Sequence, residues 1–118
     1  MGQVINIHST EQEINLEIGK HKVDVLGGWG VDLGQFSISF IHSVTGQKVN
    51  CKKTIWPIQS FAFDKRANRI FIANILESGI YRIEFRQPET LKVKEANLFF
   101  SGLFQKPISN DKISIYIH

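Results

Sequence analysis

Four separate segments of this chain alternate apolar and polar residues with a period of two, and that pattern restricts the fold more than any other feature. Ile14, Leu16 and Ile18 alternate with Glu13, Asn15 and Glu17, and Phe36, Ile38 and Phe40 with Gln35, Ser37 and Ser39. Tyr81, Ile83 and Phe85 alternate with Arg82, Glu84 and Arg86, and Ile113, Ile115 and Ile117 with Lys112, Ser114 and Tyr116. A period of two places one set of side chains on a buried sheet face and the other in water. The chain is therefore expected to be all-β.

Turn residues separate the runs at the spacing a small β-domain needs. Thr45-Gly46 between FSISFIH and KVNCKK predicts a hairpin. Asp64 to Asn68 separates SFAF from RIFIANIL, and Ser78-Gly79 joins that run to IYRIEF, which predicts a three-strand meander over Ser60–Arg86. Gln87-Pro88-Glu89 closes it, because proline cannot donate within a ladder. Arg69–Leu76 is apolar on both faces, as expected of a central strand or of one whose outer face is covered by a loop or partner. With 118 residues, the chain reads as one domain over 1–118: an antiparallel β-sandwich of about eight or nine short strands, jelly-roll or immunoglobulin-like. The alternative for Glu95–Phe104 is a short helix or an irregular segment, since Phe99, Phe100, Leu103 and Phe104 also follow helical spacing.

The stretch Leu26–His42, LGGWGVDLGQFSISFIH, poses the main functional question. Its glycines fall at 27, 28, 30 and 34, with Leu33 where a dinucleotide fingerprint needs glycine. The residues after Gly34 read as a strand, whereas phosphate loops deliver their ligand to helix N-terminal amides. The glycines are better read as backbone hinges feeding the strand. Trp29 with Asp32 and Gln35 could instead bind carbohydrate, the ring stacking on a sugar face while the polar groups bind hydroxyls. Trp56 beside Pro57 and Gln59 could extend that site. The competing reading places both tryptophans as plugs at the ends of the core.

Catalytic signatures are weak, and no cofactor or metal site is expected. His8, His21, His42 and His118 are isolated from one another in sequence. Cys51 is the only cysteine, so it forms no internal disulfide, and it reads as a small, partly buried apolar side chain. Asp24 and Asp32 bracket the glycine stretch, but acids beside turns are commonly surface or capping residues. The charge is uneven, with a net of −3 over residues 1–34 and +6 over 35–118. The aromatics of the basic part fall mostly on the apolar side of their strands, which argues against a nucleic-acid face.

No apolar run approaches a membrane span, and the first residues lack a secretory pattern, so a signal peptide is absent or already removed. The compartment stays unassigned. Two functional expectations arise for a non-catalytic binding module. One is carbohydrate recognition through Trp29, Asp32, Gln35 and Trp56. The other is a protein-interaction or self-assembly domain, with a homo-oligomer as one outcome, using Phe99, Phe100, Leu103 and Phe104 together with a sheet edge.

Overall fold

The computed structural model describes residues 2–27, 30–54, 59–62, 65–95, 106–107 and 110–118. In chain order its strands are β1 (Gln3–Asn6), β2 (Glu13–Leu16), β3 (Gly19–Leu26), β4 (Gly30–Asp32), β5 (Ser37–His42), β6 (Lys48–Asn50), β7 (Lys52–Lys53), β8 (Gln59–Ala62), β9 (Lys65–Ile75), β10 (Gly79–Arg86), β11 (Lys92–Glu95), β12 (Lys106–Pro107) and β13 (Ser114–Ile117). All ladders are antiparallel. One sheet runs β1-β13-β3-β9-β7, with β8 also on β9. The second runs β2-β10-β5-β6, and a small third sheet runs β12-β11-β4.

The two larger sheets form the β-sandwich that the alternation predicts. Ile5, Val23, Val25, Phe71, Ala73, Ile75, Ile115 and Ile117 from the first sheet pack in one core with Ile14, Leu16, Ile38, Phe40, Tyr81 and Ile83 from the second. Phe36 is buried between Phe71 (centroids 6.0 Å apart, tilted) and Phe85 (6.2 Å, stacked). Full burial of such a ring contributes about 1.5–3 kcal/mol.

Strand β9 is central, as its double-sided apolar pattern predicts, and the register explains how both faces come to be apolar. Val23 pairs with Phe71 but Asp24 pairs with Arg69, so Ile70 is an extra residue in a bulge. Ile70 and Phe71 are consequently both buried, although they are adjacent in sequence.

Two expectations of connectivity are corrected. The Ser60–Arg86 meander does not form: β8 pairs with β9, but β10 belongs to the other sheet, between β2 and β5. Residues 76–78 therefore cross between sheets. KVNCKK is likewise divided, because β6 lies in the second sheet and β7 in the first, with Cys51 at the corner. This division, and several very short strands, bring the number of strands among the described residues to thirteen. Glu95 ends β11, and residues 96–104 of the alternative helix lie outside the described residues.

The crossing at 76–78 is fixed by polar contacts at its end. His42 is buried and its Nδ1 accepts the Val44 and Thr45 backbone N–H groups (3.1 and 3.2 Å), so Nε2 carries the proton and faces the Ser78 carbonyl at 3.3 Å. His42 falls two residues after Phe40 on the inward side of β5, so a polar ring occupies an interior position there. The His42 ring stands edge-on to Tyr81, whose hydroxyl donates to the Glu77 carbonyl. Gly79 has φ +149°, and a Cβ there would meet His42 Nε2 at 2.6 Å. Gly79→Ala is expected to cost about 2 kcal/mol or more in urea unfolding. In a double-mutant cycle with His42→Ala, the part of that cost due to the ring should disappear as non-additivity of about 1 kcal/mol.

Candidate functional site

Residues 33–36 of the glycine stretch form the turn between β4 of the small sheet and β5 of the second sheet. β4 pairs with β11 so that Val93 faces Val31 and Lys92 faces Asp32. Asp32 Oδ1 accepts the Gly34 N–H (3.1 Å), and Phe36 N–H closes the turn onto the Leu33 carbonyl (2.9 Å). The Gln35 N–H donates to Thr90 Oγ1 at 2.9 Å, and that hydroxyl donates to the Gln87 carbonyl. Gly34 has φ +55° and its missing side chain would meet the Thr90 carbonyl at 2.6 Å. The close approach of two backbones is what this glycine permits. Strand β5 comes directly after the turn, so no helix N-terminus stands behind it.

Asp32 and Gln35 are both exposed and three residues apart on this turn. Trp29 and Trp56 lie outside the described residues, and so do Phe99, Phe100, Leu103 and Phe104.

Asp24 is not a turn acid. It sits in β3 on the face of the first sheet turned away from the core, yet it is buried. Arg69 Nε lies 3.3 Å from its Oδ1 and His118 Nε2 lies 2.8 Å from its Oδ2. The bulge at Ile70 puts Arg69 directly across from it. Tyr116 stacks on the His118 ring at 4.5 Å. Both carboxylate oxygens thus have cationic or N–H partners, which is how a buried acid is tolerated. No alternation pattern signals this group, because its partners lie 45 and 94 residues away in sequence.

Two further histidines are engaged as well. His21 meets the Glu17 carbonyl at 2.7 Å, and His8 contacts Asn110. Among the described residues, no three His, Cys, Asp or Glu side chains form a group able to hold a metal ion. Cys51 packs against the core, and burial pushes its thiol up to about 12.

The largest exposed apolar side chains lie mostly at one end of the sandwich. Ile18 is 68% exposed, Val44 84%, Leu76 78% and Ile80 48%. Gly19 pairs with Ile75 and Leu16 with Gly79, so the crossing through Ile18 runs beside the crossing through Leu76. The Ser43 N–H donates to the Ile80 carbonyl, which brings the Val44 turn to the same end. In sequence, Ile18 and Leu76 only continue apolar strand patterns. Val44, a β-branched residue inside a turn, is the one local signal.

The chain matches no protein-family model, no curated protein and no solved structure. A thiol held near 12 is almost entirely protonated at neutral pH, and the thiolate is the reactive form. Alkylation of Cys51 by iodoacetamide at pH 8 should accordingly run roughly 10³-fold slower than that of a free cysteine. Addition of denaturant should restore the ordinary rate, as followed by mass spectrometry.

Proposed function

We propose that the chain is a non-catalytic β-sandwich interaction module that binds protein, and that it self-associates through its apolar end. The observation that carries this reading is the exposure of Ile18, Val44 and Leu76 on connections at one end of the sandwich, with Ile80 at the adjoining start of β10. Contiguous exposed apolar groups of this kind mark interaction surfaces more often than scattered single residues do. The connections beneath them are pinned by His42 and Tyr81, so the surface is presented in a fixed shape. Preorganisation lowers the entropic cost of association. The non-catalytic part of the reading is supported by the protonated Cys51 thiol and by Asp24, whose oxygens are both occupied.

Sedimentation velocity across a concentration series tests this reading. Wild-type protein should associate reversibly, and Val44→Asp/Leu76→Asp should weaken association by about tenfold or more while leaving the circular dichroism unchanged. Equal behaviour of the two proteins at every concentration would remove the apolar end from the account.

A second reading rests on the exposed Asp32 and Gln35, held on a turn tied to Thr90. Two polar side chains three and six residues after Trp29 in sequence suit a sugar whose ring would stack on the indole. On a glycan array, the wild type should then retain a ligand that Trp29→Ala and Asp32→Ala each lose. A signal that survives both substitutions would place any sugar elsewhere, Trp56 included.

A further inference from the structure

Strand β10 is longer than the strand that covers its outer edge. β2 pairs with Gly79, Ile80, Tyr81 and Arg82 and ends there, while β10 continues to Arg86. The last bond on that edge is Ile83 N–H to the Gln12 carbonyl, at 2.9 Å. The alternation of an antiparallel ladder then fixes the direction of the remaining backbone groups. The Ser43 N–H bond to Ile80 places residues 80, 82, 84 and 86 toward β5, so Ile83 and Phe85 direct their backbone groups toward the β2 side. The residue that would pair with Phe85 by continuing β2 backward is Thr10. Instead, Glu11 adopts φ +56°, an uncommon conformation for a non-glycine residue, and turns the chain away.

Between the departing chain and β10 lies a groove of about 450 Å³. Its apolar lining is Ile7, Ile83, Phe85 and Pro88, with polar residues from the 8–11 turn and from β10 at the rim. The turn opposite β10 is braced by Asn6, whose Oδ1 and carbonyl accept the His8 and Ser9 N–H groups. His8 contacts Asn110, which donates to the Pro88 and Leu91 carbonyls at 2.9 Å. The walls are therefore held apart by hydrogen bonds between the first and last parts of the chain.

We infer that this groove binds an extended polypeptide segment, carrying an acidic residue followed by a β-branched or leucine residue, as an added antiparallel strand on β10 at Phe85. The inference deepens the protein-binding reading, on which it rests, at a site separate from the apolar end. The chain's own β2 shows what this edge accepts: Glu13 faces Arg82 on the wet side, and the next residue, Ile14, faces Tyr81 on the core side. Two two-residue repeats further along β10, past the Ile83 position that Gln12 already occupies, the same geometry presents Arg86 on the wet side and Phe85 on the groove side. An acidic residue of the added strand faces Arg86, and the apolar residue after it enters above Ile7, Phe85 and Pro88. Arg86 is 58% exposed and engages Glu84 through Nε at 2.7 Å, leaving its terminal amino groups for a second carboxylate. Lys48 lies 3.4 Å from Glu84 and offsets its charge, so an acid placed against Arg86 on the wet side does not face an uncompensated Glu84. The added apolar residue exchanges two backbone hydrogen bonds with Phe85, the mode of β-strand addition.

The test uses the peptide Ac-Ser-Thr-Glu-Val-Thr-Ser-NH2 with the ¹⁵N-labelled full chain. Amide shifts should move at Phe85 and its neighbours and in the 8–12 turn, and the Phe85 amide should exchange more slowly with solvent. Methylating the valine nitrogen removes the donor to the Phe85 carbonyl and should weaken binding by about tenfold or more. Replacing the peptide's Glu by Lys should weaken it by about threefold, and Arg86→Glu should reverse that preference. Equal affinity of the N-methylated peptide, shifts confined to other surfaces, or no binding at about 2 mM would overturn the inference. Val44→Asp/Leu76→Asp should leave peptide affinity unchanged. Self-association without peptide binding therefore sinks the groove alone, and peptide binding without self-association sinks the apolar end alone.

Discussion

The single extra residue in the ladder between β3 and β9 governs much of this molecule. With Val23 against Phe71 and Asp24 against Arg69, Ile70 has no opposite number on β3. On the Phe71 side the ladder delivers Phe71, Ala73 and Ile75 to the core, where Phe71 packs against Phe36. On the Arg69 side it delivers a guanidinium to the buried Asp24. Removing one residue there would turn one of these two sets to the wrong face, because the side-chain period of a strand is two. The aromatic cluster and the buried ion pair are thus consequences of one register choice.

Alternation made the strands legible, and with them the inward positions of Ile14, Leu16, Ile38, Phe40, Tyr81, Ile83, Ile115 and Ile117. Which sheet each strand joins was less legible, for a physical reason. Ser78-Gly79 reads as a turn, but a reversal within a sheet and a crossing between sheets use the same residues. What decides between them lies elsewhere: Gly79 has no Cβ and makes room for His42, which reaches the Ser78 carbonyl. Cys51 offers the same lesson, since a continuous polar-apolar run through KVNCKK conceals a corner. The Asp24 group was invisible because its partners are far apart in sequence. Asp32, Gln35 and the glycine hinge were legible because turn chemistry is local, whereas the exposure of Ile18 and Leu76 depends on two crossings coming to lie side by side.

Strand length mismatch accounts for both the exposed apolar end and the open stretch of the β10 edge. β2 has four residues and β10 has eight. At the start of β10 the ladder with β2 is complete, and the two neighbouring crossings through Ile18 and Leu76 meet there. Such short connections cannot fold their side chains back into a core already filled by Leu16 and Ile75, so the next apolar residues are left in solvent. At the other end of β10 the short partner runs out, and the unpaired edge opens beside Phe85.

An open edge is a hazard that β-proteins ordinarily suppress with brevity, charge or cover. Other edges here conform to that practice: β6 has three residues and presents Lys48, and β7 has only two, both lysines. The β10 edge is treated differently. Among the described residues it is neither covered nor closed by extending β2, although Thr10 is the residue whose register would pair with Phe85. Glu11 instead takes a left-handed conformation that costs of order 1 kcal/mol or more, and the Asn6, His8 and Asn110 contacts hold the departing turn in place. Continuing the ladder would gain hydrogen bonds and relieve that strain, so the sequence holds the groove open against a locally favourable alternative. The strand proposed to add at Phe85 would supply the pairing that β2 withholds, and the cost at Glu11 would then be offset by the hydrogen bonds of that added strand.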